Sequence, residues 1–184
     1  VMVVLLGKQG TGKGLFFQIL HRIWSKTTLL VSDINQVLGQ FNAALERNFV
    51  VVMDEAMFSG DRKSQDRLKS LITEKTCHIE QKYQPSRTIE SVHRFFASSN
   101  HLHFSNVEAD DRRSLTIKVS DSNIGDRLYF EALVKAIDDD DVIAAMIYDL
   151  LEMDLNGFDV RVRPITSEHT QQKLKSLQGF DRYW

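Results

Sequence analysis

Apolar residues along the chain fall into two kinds of run. Short, unbroken stretches rich in β-branched residues recur as VMVVLL (1–6), TTLLV (27–31), FVVVMDE (49–55), RFFASSN (94–100) and SLTIKV (114–119). Runs of this length and composition predict strands buried on both faces. Between them, apolar residues return at helical spacing. Leu15, Ile19 and Ile23 do so, with Phe16 and Leu20 beside them, in a helix expected over 13–25. INQVLGQFNAALE (34–46), SQDRLKSLIT (64–73), DRLYFEALVKAI (126–137) and DDVIAAMIYDLLEMDL (140–155) read as further helices. Ser32 and Asp33 can cap the second helix. In the last one the acidic run Asp138–Asp141 suits the positive end of the helix dipole, and Met146, Ile147, Leu150 and Leu151 form its expected buried stripe.

One unit breaks the alternation. CHIEQKY (77–83) and RTIESV (87–92) read as two strands joined at QPS, an inserted β-hairpin. The rest predicts an α/β domain: a mostly parallel five-stranded sheet flanked by helices. Residues 1–160 read as the core and 161–184 as a tail packing on the core or on a neighbour.

Composition narrows the setting. At 184 residues and 42% hydrophobic, the chain can bury one good core. The net charge of −2 gives no general attraction to nucleic acid, so any such contact must be local. The single cysteine, Cys77, excludes an internal disulfide framework. No apolar run is long enough to span a membrane and no secretory signal is visible, so the expected setting is cytoplasmic and reducing. The chain begins inside its first strand and reads as a piece of something larger.

The candidate chemistry starts at GKQGTGKG. Gly7, Gly12 and Lys13 match the phosphate-binding pattern G-x-x-x-x-G-K-[ST], but Gly14 stands where a Ser or Thr hydroxyl should reach Mg²⁺. The segment from Gly7 through Gln9, Gly10, Thr11, Gly12, Lys13 and Gly14 to Leu15 is the candidate nucleotide-binding stretch. Its glycines allow close backbone approach to phosphate, and the helix that follows offers amides and a positive dipole end. A plain glycine-rich turn accounts for the glycines but not for the strand–loop–helix setting and Lys13.

Asp54 and Glu55 end a buried strand, at the carboxyl edge where ligands gather in parallel sheets. Asp54 suits Mg²⁺ and Glu55 suits activation of a water, though an acidic pair can also simply terminate a strand. Asn100 ends another strand and can orient that water, or serve only as a turn former. Arg112 and Arg113 precede the fifth strand, either as a solvated charge cluster or as the source of an arginine finger.

The set GKQGTGKG, VVVMDEA, LKSLITEKTCHIEQKYQPSRTIESVHRFFASSN and DDRRSLTI, in that order and at short spacing, resembles the AAA+ ATPase core of superfamily 3 helicases. The nearest group is the primase-helicase proteins of phages and integrated elements, which carry GTGKG and end in a P-x-T…W tail, here Pro164, Thr166 and Trp184. The resemblance implies an AAA+-like P-loop fold that hydrolyses ATP with Mg²⁺ and translocates on single-stranded or forked DNA. It implies assembly into a homo-oligomeric ring, a hexamer, with a primase or polymerase domain on a preceding segment. Position by position, it assigns Lys13 to the phosphates, Asp54 to Mg²⁺, Glu55 to water activation and Asn100 to sensing. Arg113 becomes the finger reaching a neighbour's nucleotide, with Arg112 as substitute or support. The hairpin becomes a DNA contact, with Lys82 and Tyr83 near its tip and Lys75 and Arg87 adding charge. For the missing hydroxyl at Gly14, a water held by Asp54 would complete an octahedral shell.

Two other readings stay open: a P-loop ATPase without unwinding activity, such as a loader or packaging motor, and a nucleotide- or DNA-binding module that does not turn over. His93, His101 and His103, with Cys77 and His78, show no CxxC or HExxH spacing and predict no metal site.

Overall fold

The computed structural model describes residues 1–54, 62–100 and 113–159, together with 162, 164, 166 and 170. Among them, five strands form one parallel sheet: β1 (Met2–Leu6), β2 (Thr28–Val31), β3 (Val50–Met53), β6 (Arg94–Ser99) and β7 (Ser114–Lys118), in the order β2-β3-β6-β1-β7. The inserted hairpin is a separate antiparallel pair, β4 (Thr76–Ile79) and β5 (Arg87–Glu90). Helices α1 (Lys13–Ile23), α2 (Asn35–Leu38), α3 (Arg62–Thr73), α4 (Arg127–Asp138) and α5 (Asp140–Leu151) complete the described elements.

The unbroken apolar runs become the central strands for the expected reason. Val50, Val51, Val52 and Met53 of β3 are each at most 1% exposed, because helices cover both faces of the sheet. Alternation divides the strands between two cores. Met2, Val4, Leu6, Val51, Met53, Phe95 and Ala97 face α2, α3 and β4, meeting Val37, Leu68, Cys77 and Ile79. Leu5, Val50 and Val52 face α1 and pack on Phe17 and Leu20. Each side chain so buried contributes roughly 1.5–3 kcal/mol, which holds the first turn of α1 firmly over the ends of β1, β3 and β6.

Three expected features differ in the structure. The helix read over 34–46 stops after Leu38, although the apolar spacing continues. A Cβ on Gly39 would lie 2.3 Å from the Asn35 carbonyl oxygen, and the chain leaves the helix there with extended backbone. It re-forms only a 3-10 turn at Ala43–Leu45. Between them Asn42, 1% exposed, turns inward: its amide donates to the His78 carbonyl at 2.9 Å and its oxygen accepts from the Glu80 N–H at 2.9 Å. Next, none of the four residues expected as the buried stripe of α5 is buried: Met146 and Ile147 are half-buried and Leu150 and Leu151 are 52% and 78% exposed, while the buried residue of the helix is Ile143, earlier in the chain. Finally, Arg87 does not add free charge to the hairpin. Its Nε donates to Glu46 Oε1 at 2.6 Å and its Nη2 pairs with Glu46 Oε2, so the charge is committed to the 3-10 turn.

His93 is buried, with Nε2 2.9 Å from the Leu45 carbonyl oxygen and Nδ1 3.3 Å from Ser91 Oγ, so both ring nitrogens lie against protein oxygens. His101, His103 and Trp184 lie outside the described residues. In the tail, the Thr166 hydroxyl donates to the Thr116 carbonyl of β7 at 2.8 Å. No helix among the described residues is long and apolar enough to cross a membrane.

Candidate functional site

The stretch from Gly7 to Lys13 leaves β1 at the carboxyl edge of the sheet and turns directly into α1. Gly10 and Gly12 take φ of 82° and 88°, a left-handed backbone that disfavours other residues. Close approach adds a second reason at Gly12, where a Cβ would sit 3.0 Å from Phe130 Cε1. Gly12 provides no side-chain cap for α1, and no acidic residue occupies the first turn. A helix N-terminus without a side-chain cap or an acidic first turn is the arrangement that favours an anion.

Lys13 points back over the loop. It is only 8% exposed, and its ammonium donates to the Gly7 carbonyl at 2.8 Å, the Lys8 carbonyl at 2.9 Å and Asn100 Oδ1 at 2.8 Å. Because an ammonium only donates, the contact also fixes which end of the Asn100 amide faces it. Asn100 follows β6, and β6 lies between β1 and β3. Asp54 follows β3 on the other side, with an exposed carboxylate that accepts a hydrogen bond from the Ser98 hydroxyl.

These groups surround one cleft of about 490 Å³, lined by Gln9, Gly10, Thr11, Gly12, Lys13, Gly14 and Leu15 from the loop and α1, and by Asp54 and Asn100 from the strand ends. The structure therefore brings together residues that are far apart in sequence and were singled out for one chemistry. Glu55 and Arg112 lie outside the described residues. Arg113 is elsewhere. It precedes β7, whose Ser114 pairs with Met2 while Lys118 pairs with Leu6, beside the loop. Four residues of strand, about 13 Å at the usual rise, separate the Arg113 end of the sheet from the loop.

Four lining residues have no counterpart in the sequence reading: Gln18, Ser98, Phe130 and Val134. Ser98 carried a usable signal, since it stands two residues before Asn100 and strand alternation puts both on one face. Gln18 lies four residues beyond Gly14, one helical turn along the same face. Phe130 and Val134 come from α4, a contact that only the tertiary fold discloses. They add an apolar surface to the cleft beside Gly12. Salt-bridging of Lys8 to Asp121 at 2.8 Å ties the outside of the loop to the segment between β7 and α4. The hydrogen bond between them raises the Lys8 pKa and lowers that of Asp121.

The hairpin tip forms a second candidate surface. Tyr83 is 92% exposed with φ of 64°, and Lys82 Nζ lies 5.1 Å from the centre of its ring. A tyrosine in the left-handed region is uncommon, and such strain gathers at functional positions.

A five-stranded parallel α/β domain with a ligand-sized cleft at the carboxyl edge of its sheet defines the class. Residues 5–113, more than half the chain, match the Family of unknown function (DUF5906), and the chain belongs to that family. It is 33% identical over 115 residues to the DNA primase-polymerase of Nitratiruptor phage NrS-1, a match covering 60% of this chain and 16% of that protein. Its fold is similar to the apo structure of the NrS-1 C-terminal region, with a TM-score of 0.76 and 22% identity over 97% of this chain and 43% of that one. It is also similar in fold to JCV helicase, with a TM-score of 0.50 and 16% identity over 95% of this chain and 49% of that one.

Proposed function

We propose that the chain is the ATP-hydrolysing motor domain of a phage or mobile-element replication protein, a P-loop ATPase of the AAA+ type that translocates on DNA. The observation that carries this reading is the position of Lys13. Its ammonium is held over a glycine loop at a helix start without a side-chain cap, between that loop and Asn100, with Asp54 lining the same cleft. A polyphosphate laid along the loop would exchange the Gly7 and Lys8 carbonyls for phosphate oxygens at Lys13 and would take hydrogen bonds from the first amides of α1. The base would lie against the apolar side chains of Phe130 and Val134.

Asp54 fits Mg²⁺. It is an exposed oxygen donor beside the phosphate position, and magnesium commonly takes one or two carboxylates with phosphate oxygens and waters. Bound there, the ion would offset charge on the β- and γ-phosphates. Glu55, next along the chain, accepts the proton of the attacking water, and Asn100 orients that water once Lys13 has turned to phosphate. Arg113, unable to span the sheet to its own loop, serves the nucleotide of a neighbour in a ring. Lys82 and Tyr83 meet DNA as a cation for phosphate and a ring for a base. Similarity to a primase-polymerase supports replication as the setting.

The test is ATP hydrolysis by the purified protein with and without single-stranded DNA. Phosphate release that requires Mg²⁺ and rises several-fold with DNA is expected. Absence of nucleotide binding in a direct titration would remove the reading.

A further inference from the structure

Gly14 leaves the loop without the hydroxyl that its pattern calls for, and neither space nor backbone requires a glycine there. A Cβ at position 14 meets nothing within 4 Å, whereas one at Gly12 meets Phe130. Position 14 also belongs to the ordinary right-handed first turn of α1.

A hydroxyl does stand in the same cleft, on a different element. Ser98 is 0% exposed, lines the cleft together with Gly14 and Asp54, and donates its hydroxyl hydrogen to Asp54 Oδ1. The sheet makes this meeting automatic. Met53 of β3 pairs with Ala97 of β6, so the next residues along, Asp54 and Ser98, come opposite one another. Alternation then sends both side chains to the α1 face, where Val52 already packs. A carboxylate at a strand end swings through several rotamers unless something holds it, and a buried hydroxyl with one fixed direction does so.

We propose that Ser98 is the positioning residue for Asp54, and that by holding this carboxylate in place it offsets the loss of the direct Mg²⁺ ligand that a Ser or Thr at position 14 would supply. The proposal rests on the nucleotide-and-magnesium reading of the cleft. Under it, the buried Ser98 hydroxyl fixes the carboxylate in the orientation that binds the ion, and the loop tolerates glycine at 14 because a firmly held Asp54 keeps the ion with a water in the hydroxyl's place.

Manganese in place of magnesium gives a direct readout. Mn²⁺ binding to the protein with ADP, followed by electron paramagnetic resonance, is compared across wild type, Ser98→Ala, Gly14→Ser and the double variant. Partners that orient metal ligands are worth roughly 10–100-fold in metal affinity, so Ser98→Ala should weaken Mn²⁺ at least tenfold. Affinity for ADP without metal should stay as in wild type, since the loop and Lys13 set it, and this also reports an intact fold. Gly14→Ser, entering open space, should restore most of the lost affinity in the Ser98→Ala background. Wild-type Mn²⁺ affinity in Ser98→Ala would overturn the proposal. So would a loss of metal-free ADP affinity, because Ser98 would then be acting through packing, or a double variant no better than Ser98→Ala, because position 14 and Ser98 would then not compensate for one another. A wild-type protein that binds neither ADP nor Mn²⁺ would instead remove the nucleotide reading itself.

Discussion

Lys13 Nζ and Asn100 Oδ1 stand 2.8 Å apart, linking the first turn of α1 to the end of β6 across the mouth of the cleft. The contact couples the group assigned to phosphate with the group assigned to water. On the proposed reading a phosphate would compete with Asn100 for Lys13. Hydrogen bonds to a charged group contribute about 1.5–3 kcal/mol, so Lys13→Ala should weaken ATP binding by at least tenfold in a titration with fluorescent nucleotide. Asn100→Ala should leave nucleotide affinity within a few-fold of wild type and lower the hydrolysis rate. A large loss of affinity in Asn100→Ala would place Asn100 on the phosphates rather than on the water.

On the proposed reading, Glu55 separates binding from chemistry. Replacing its carboxylate by an amide keeps the size and removes the base, and a positioned general base contributes roughly 10²–10⁴ in rate. Glu55→Gln should therefore bind ATP as wild type does and hydrolyse it at least 10²-fold more slowly. Ordinary turnover in this variant, measured under single-turnover conditions, would remove Glu55 from the mechanism.

At the hairpin tip, stability and function should move in opposite directions. Tyr83 holds its ring in solvent at φ of 64°, and the left-handed backbone costs an ordinary residue about 1–2 kcal/mol. Asparagine tolerates that conformation better. Tyr83→Asn should raise the melting temperature by a few degrees, while the loss of a stacking ring, about 1–3 kcal/mol per base, weakens single-stranded DNA binding roughly tenfold. Unchanged DNA affinity in a fluorescence-anisotropy titration would leave the strained tyrosine without a DNA role.

The hairpin stem carries a pH signature. Arg87, hydrogen-bonded to Glu46, holds the Glu46 carboxyl below its ordinary value. A group whose pKa is depressed on folding stabilises the fold above its unfolded pKa and loses that contribution as the pH falls through its folded pKa. The difference in melting temperature between wild type and Glu46→Gln should thus be constant from neutral pH down to about 5 and shrink below about 4, as carboxylates protonate. Acid effects from other carboxylates appear in both proteins and cancel. A difference that does not change with pH would mean that the Arg87–Glu46 pair contributes by shape rather than charge.

The sequence disclosed those parts of the fold whose cause is local. Strand β3 announces itself because VVVM is buried on both faces, and the hairpin because its strands are flanked by polar turn residues. Helix α2 is shorter than its apolar spacing predicts because Val37, Leu38 and Leu45 keep the spacing of a helical face while Gly39 ends the helix by its contact with the Asn35 carbonyl. Once the chain leaves the helix, Asn42 serves as a side-chain partner for the hairpin, a role that depends on where β4 lies. The cleft divides the same way. Lys13, Asp54 and Asn100 sit at junctions that spacing identifies, whereas Phe130 reaches Gly12 only because α4 packs beside α1. Ser98 lay within reach, since its alternation with Asn100 is visible in FASSN.

Arg113 decides between a ring motor and a subunit that works alone. Its backbone carbonyl accepts from Met2 N–H at 2.7 Å, which fixes it at the start of β7, while the glycine loop leaves the far end of the neighbouring β1. A finger at that place must act on the nucleotide of another subunit. An arginine finger is worth roughly 10³–10⁵ in rate because it meets charge that develops in the transition state. Arg113→Ala should therefore abolish most hydrolysis while each subunit still binds ATP on its own loop, and Lys13→Ala should fail for the opposite reason. Mixed in equal amounts, the two inactive proteins should regain activity: in a head-to-tail ring about a quarter of the interfaces would pair an intact loop with an intact arginine. Mixing at high protein concentration with ATP and single-stranded DNA present favours assembly. Recovery toward a quarter of the wild-type rate would establish that the site is shared between subunits. If sizing shows mixed oligomers and activity stays at the level of the separate variants, the shared site is wrong, and Arg113 supports β7 within its own chain.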